Sequence, residues 1–336
     1  MNWLRSFGPG LLLVAILAAI AQTLGALVPL IGGPVFGIVF GIILNHTYGK
    51  PAHTHKGILF TSKKILQWAI IALGAGLSLS QVWQTGLESL AVMLTSLAAA
   101  FAAAYGFGRL LRVPLKLQSL IGVGTAICGG SAIAAVSPIL EAKDDEIAYS
   151  ISTIFLFNVL AVLLFPALGH WFGLTQQGFG LWAGTAVNDT SSVVAAGYIY
   201  GNEAGAYATI VKLARTTMII PISLLFTALM AIRKKREAAG SGEPYLGRLR
   251  TIFPWFILWF LVASFLHSIG VIPAGIEPLI GQAGKFMIVM ALTAIGLNAD
   301  LRSIARTGFK PILLGLLVWI VVSVVSLLVQ FSTGSV

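Results

Sequence analysis

Asp189, Lys212 and Arg215 could do chemistry because each lies inside a long apolar run. The first sits in GTAVNDTSSVVAAG (184–197), beside Asn188 and the hydroxyls of Thr190, Ser191 and Ser192. The other two sit in AYATIVKLARTTMIIP (206–221), three residues apart and so on one face of a helix. An ionised side chain at the centre of a membrane helix costs at least about 2.5–3.5 kcal/mol, so such residues face a protein interior or a polar cavity. Two cations on one helix face repel, and Asp189 can balance only one of them. A site of this kind carries net positive charge and suits an oxyanion, which guanidinium forks and helix N-termini both bind. A structural Asp–Arg or Asp–Lys pair joining two helices is the competing reading.

The elements that must position these residues follow from composition. Of 336 residues, 57% are hydrophobic and only 10% charged. A soluble domain carries about 25% charged residues, so the chain is expected to be an all-α polytopic membrane protein. Apolar runs fall near 9–31, 34–47, 65–81, 89–108, 118–140, 147–169, 178–200, 206–231, 251–269, 284–299 and 311–331, which predicts eleven spans. The first is too long for a signal peptide and is read as an uncleaved helix. The net charge of +10 is gathered in short loops between apolar runs rather than in a nucleic-acid-binding patch. Counting with the N-terminus inside puts seventeen of the 21 basic residues in cytoplasmic segments, and places Lys143, with Glu141, Asp144, Asp145 and Glu146, outside. The positive-inside rule therefore predicts a bacterial inner (plasma) membrane protein with a cytoplasmic N-terminus and an external C-terminus. The chain reads as one transporter domain, 1–336, with a basic cytoplasmic loop at 232–250 between an eight-span and a three-span block.

Two internal similarities stand out. GTAICGGSAIAA (124–135) matches GTAVNDTSSVVAA (184–196) at a constant offset of 60. Glycines at 122, 124, 129 and 130 weaken the helix in the first, and Asn188 to Ser192 offer competitors to the backbone ladder in the second. Paired interruptions of this kind point to a transporter site, where Gly129, Gly130 and Ser131 would join the polar cluster. ALGAGLSLS (72–80) resembles TAIGLNAD (293–300), and by the span count these two run in opposite directions, as inverted repeats do. The GTA pair, counted the same way, runs in one direction, so the two similarities do not fit a single simple inverted duplication.

Asn298 and Asp300 stand at the inner end of their span and, with Asp189, are the candidates for a coupling ion. The single cysteine, Cys128, excludes an intrachain disulfide and reads as a packing residue. His53 and His55 lack further ligands at metal-site spacing, so no metal is expected. No GxxxxGK[ST] loop or HExxH motif is present, which argues against a resident ATPase or a zinc protease, and no cofactor is expected. A homo-oligomer is compatible with such a chain.

GTAICGGSAI, then WAGTAVNDTSSVVAAG, then VKLARTTMIIP, in that order on a polytopic chain, resemble the YeiH-type family of bacterial membrane proteins labelled as sulfate exporters. That family is distantly similar to the cation–proton antiporter and bile-acid symporter group. The resemblance implies crossed discontinuous helices, alternating access, and export of a small inorganic anion such as sulfate with proton or sodium coupling. An anion channel or a transmembrane sensor could use the same polar cavity, and an intramembrane enzyme is the least favoured alternative.

Overall fold

The structure, a computed structural model, describes residues 2–27, 32–47, 49, 52–237, 255–273, 275–299 and 308–334. Among them every regular element is helical. They are α1 (Asn2–Leu27), α2 (Gly32–Thr47), α3 (His55–Phe60), α4 (Leu66–Gly74), α5 (Leu79–Glu88), α6 (Leu90–Leu110), α7 (Leu115–Ala126), α8 (Gly130–Val136) and α9 (Asp144–Trp171). There follow α10 (Gln176–Ala186), α11 (Thr190–Tyr200), α12 (Asn202–Thr217), α13 (Ile219–Glu237), α14 (Trp255–Ser268), α15 (Glu277–Asn298) and α16 (Phe309–Thr333). Large apolar side chains such as Leu12, Ile16, Leu94, Leu224, Leu225 and Leu328 are exposed on the outside of the bundle, as a lipid-facing belt requires.

Six helices are long and apolar enough to cross a membrane, or seven with the bent pair His55–Gly74 and Leu79–Glu88. That falls short of eleven spans because several runs are not single straight helices. The pair bends by 105°. The turn follows Gly74, and Ser78 caps the new helix, accepting from the Gln81 backbone N–H while the Gln81 side chain accepts from the Ser78 N–H. α5 then lies across the end of the bundle with Trp83 71% exposed.

Two runs expected to cross instead double back. α7 goes inward, breaks at Ile127–Gly129, and α8 returns to the end at which α7 began, where Lys116 Nζ donates to the Glu141 carbonyl at 2.6 Å. α10 and α11 do the same from the other end. There the Gln176 side-chain oxygen accepts from the backbone N–H groups of Glu203 (3.1 Å) and Ala204 (3.2 Å), and the Tyr200 hydroxyl donates to the Leu174 carbonyl. The long helix α9 connects the two ends. Runs 118–140 and 178–200 are therefore re-entrant hairpins rather than spans. The physical reason is the glycine and Asn-Asp break at the centre of each: composition over about 20 residues reports apolarity, whereas direction is decided at the break.

This corrects two further expectations. Lys143 lies at the same end of the molecule as Lys116, not opposite it. The GTA pair runs in opposite directions, since its hairpins come from opposite ends. Both internal similarities are then inverted: α4 and α15 carry one, the two hairpins the other. The hairpin with α7 follows α4 and α6 in sequence, whereas the one with α10 precedes α15, so the two inverted similarities do not recur in the same order along the chain.

The main core joins α6 to α13 and α16. Phe165, Trp182 and Trp319 stack within it, and Trp182 Nε1 donates to the Ser323 carbonyl at 3.1 Å. A second cluster packs α11 and α9 against α2, α4 and α15.

Candidate functional site at the meeting of two hairpin tips

A helix leaves its last four carbonyls without intrahelical partners, and no water reaches them in a bilayer core. Two such ends, those of α7 and α10, meet in the middle of this protein. Lys212 and Arg215, both 0% exposed, lie on α12 between them. Lys212 Nζ donates to Ile127 O at 2.7 Å and to Val187 O at 2.9 Å, the residues immediately after α7 and α10. Arg215 donates from Nε to Ala126 O at 2.5 Å, from Nη2 to Thr125 O at 3.1 Å, and from Nη1 to Thr185 O. Cations at helix C-termini also complement the negative end of the macrodipole. Two side chains three residues apart thus staple the two hairpins together.

α12 can stand this close because its neighbours lack side chains at the contacts. A Cβ on Gly184 would lie 2.7 Å from Val211 Cβ, and one on Gly197 would lie 2.8 Å from Gly205 Cα. Gly129 adopts φ +68°, a left-handed conformation that glycine tolerates, and turns the chain from α7 into α8.

Asp189 does not pair with either cation; among the described residues no ion pair joins them. It sits past the break, at the N-terminus of α11, where its carboxylate accepts from the Ser191 N–H at 3.0 Å and from the Ser191 hydroxyl. Its own N–H donates to Asn158 Oδ1 on α9 at 3.0 Å. No direct contact forms because the break puts helix carbonyls on the cation side and helix N–H groups on the carboxylate side. Asp189 also adjoins the other tip: a Cβ on Gly129 would be 3.5 Å from Asp189 Cβ.

A model of the family described as "conserved hypothetical protein 698" matches residues 9–315. The chain belongs to that family. Relatives include a UPF0324 membrane protein of Clostridium tetani, 46% identical over 345 residues and covering 100% of both chains. Another from Streptococcus pyogenes serotype M18 is 47% identical over 97% of each chain, and one from Streptococcus mutans is 44% identical over 97% of each. These matches secure the YeiH-type family suggested by the motifs, and the relatives carry the description membrane protein.

In this conserved hypothetical protein 698 member, the remaining expected residues divide into two groups. Asn188 is 1% exposed, and both its amide atoms are buried without a hydrogen-bond partner, as is Thr125 Oγ1 on the opposite tip. Thr190, Ser191 and Ser192 are buried in the first turn of α11, Gly130 has open space where a side chain would be, and Ser131 is exposed. The tips are thus crowded on the α12 side and open along α8. Asn298 lies elsewhere, at the end of α15, where the neighbouring Ala299 carbonyl accepts from Asn45 of α2 at 2.7 Å. Asp300, Arg302 and Arg306, like most of the basic loop 232–250, lie outside the described residues. Cys128 is buried within the first tip. Asn158 was not singled out from the sequence, though a lone amide in the apolar run 147–169 is itself a signal for a buried polar partner.

Proposed function

We propose that this protein is a secondary transporter that exports a small oxyanion, sulfate on the family resemblance, by alternating access at the hairpin tips. The observation that carries the reading is the meeting of two interrupted hairpins from opposite ends around Lys212 and Arg215. Irregular backbone at membrane depth is tolerated where it lines a cavity or is buried in protein, and opposed half-helices recur at transporter sites. Lys212, Arg215 and Asp189 together carry a formal charge of +1, and the unpartnered Asn188 amide and the first turn of α11 supply groups that a bound oxyanion could engage. The cations act mainly by holding the tips and by their field, since five of their eight N–H groups donate to carbonyls. Asp189 is the coupling carboxylate in this scheme, competing with the anion for the α11 N-terminus.

The topology consistent with this reading has nine passes: six long helices, one bent helix and the two shorter apolar helices α2 and α14. The two hairpins add none. With the N-terminus in the cytoplasm, Lys143 joins the basic residues already counted inside, and the positive-inside rule is better met than with eleven spans. One hairpin then opens to the cytoplasm and the other to the outside.

Radiolabelled sulfate flux in proteoliposomes, with imposed pH or sodium gradients, tests the proposal. Saturable flux driven by one gradient and abolished in Asn188→Leu is expected. Absence of sulfate flux under every gradient would remove sulfate as the substrate, and linear, non-saturating current would replace the carrier with a channel.

A further inference from the structure

A cavity of about 350 Å³ lies away from the tips, between α6, the base of the first hairpin and α13. Its size falls in the range of roughly 300–1,000 Å³ typical of small-molecule sites. Phe101, Phe226, Leu229 and Met230 wall it, while Lys116 and Gln118 supply polar groups at the hairpin's base. Three observations say what it would hold.

The first is charge. Lys116 lines the cavity, and Arg109 stands 5.0 Å over the ring of Tyr105, another lining residue. Arg112 follows Arg109 three residues later in sequence. The rim is basic and the walls are apolar, which is the complement of an anionic phospholipid. The second is an unsatisfied acceptor. Gln118 is 4% exposed; its Nε2 donates to Val113 O at 2.5 Å, but its Oε1 is buried with no partner. A carbonyl oxygen needs a donor, and a phosphate lacking a proton offers none, whereas a glycerol headgroup hydroxyl does. The third is position. α13 exposes Leu224, Leu225 and Leu229 beside the cavity, so its apolar side faces lipid.

The geometry points to a phosphatidylglycerol site in this cavity, with the acyl chain against Phe101 and Phe226, the phosphate at Lys116 and a headgroup hydroxyl at Gln118. Basic pockets between membrane helices on the cytoplasmic side bind anionic headgroups in this way. Because Lys116 also donates to Glu141 O across the hairpin's base, a lipid seated there would brace the hairpin where it leaves the membrane. The site is separate from the tips, and its occupancy is read without measuring transport.

Native mass spectrometry of the purified full chain in detergent, titrated with phosphatidylglycerol or phosphatidylcholine, tests this. Phosphatidylglycerol is expected to be retained at least about tenfold more tightly and to raise the melting temperature. Lys116→Gln should abolish the preference between the two lipids. Ser119→Phe, which projects a ring into the cavity from a half-buried position, should abolish the lipid-induced melting shift. Each variant must first melt within a few degrees of the parent in lipid-free detergent; if either does not, Ser119→Leu and Lys116→Met are read in its place. Equal retention of the two lipids by the parent protein, or unchanged phosphatidylglycerol binding in both folded variants, would overturn the assignment.

Discussion

Arg215 satisfies three carbonyls on two different helices, and Asp189 caps a third helix; their substitutions should therefore fail in different ways. Arg215→Gln strips Thr125, Ala126 and Thr185 of charged donors. A buried acceptor left alone costs about 1–3 kcal/mol, so the variant should lose several kcal/mol, visible as a large drop in melting temperature. Arg215→Lys keeps the charge without the planar fork and should fall between. Asp189→Asn should behave otherwise. Asparagine caps a helix about as well as aspartate, so stability should change by less than about 1 kcal/mol, whereas Asp189→Ala should lose about 1 kcal/mol. If sulfate flux in Asp189→Asn survives with its proton or sodium dependence intact, the carboxylate is a cap and nothing more. The residue types at this site were legible in the sequence because charge inside an apolar run is costly wherever it stands. Their partners were not, since a carbonyl freed by a helix break leaves no mark on the identity of the residue that carries it.

At the scale of elements, hydropathy located the apolar runs and overstated how many cross. The run 147–169 lies within one long helix, α9, as its unbroken apolarity requires. Runs 118–140 and 178–200 had the same length and composition, and only the Gly129 turn and the Asn188–Asp189 break separate hairpin from span. Their shared sequence was legible, but its orientation depended on the number of crossings between them. Thiol labelling settles the point. In a Cys128→Ser background, cysteines at Glu141 and Lys143 should react with an impermeant maleimide from the same side as one at Arg112. Cysteines at Gln177 and Glu203 should react only from the other side. Labelling of position 141 from the side of position 177 would restore a crossing and remove the first hairpin. The tight packing of α12 gives a second element-scale prediction. Gly184→Ala forces a Cβ to within 2.7 Å of Val211 Cβ, and overpacking of this kind costs about 1–3 kcal/mol. The loss should be smaller in Gly184→Ala combined with Val211→Ala, which a double-mutant cycle on melting temperature would read.

For the molecule as a whole, the arrangement supplies a test that separates the proposed carrier from a channel. The hairpins, α9 and α12 form one packed unit, and α1, α2 and α15 lie against it through a mainly apolar contact of α11 and α9 with α2, α4 and α15. Carriers with inverted repeats work by moving one such unit against the other around a fixed site. Lys285 on α15 bridges the two units at one end: its Nζ donates to Asn202 Oδ1 at the start of α12, at 2.7 Å, and lies 5.4 Å over the Tyr198 ring. A carrier must break this contact in each cycle; a channel with a fixed path need not. Paired cysteines at Asn202 and Lys285, joined by a short bis-maleimide in the Cys128→Ser background, should therefore stop sulfate flux while the uncross-linked pair retains it. Reaction with a monofunctional maleimide controls for the loss of the Lys285 charge and should leave most of the flux. Undiminished flux through the cross-linked protein would mean that the two units do not move, and the polar tips would then have to conduct along a static pathway.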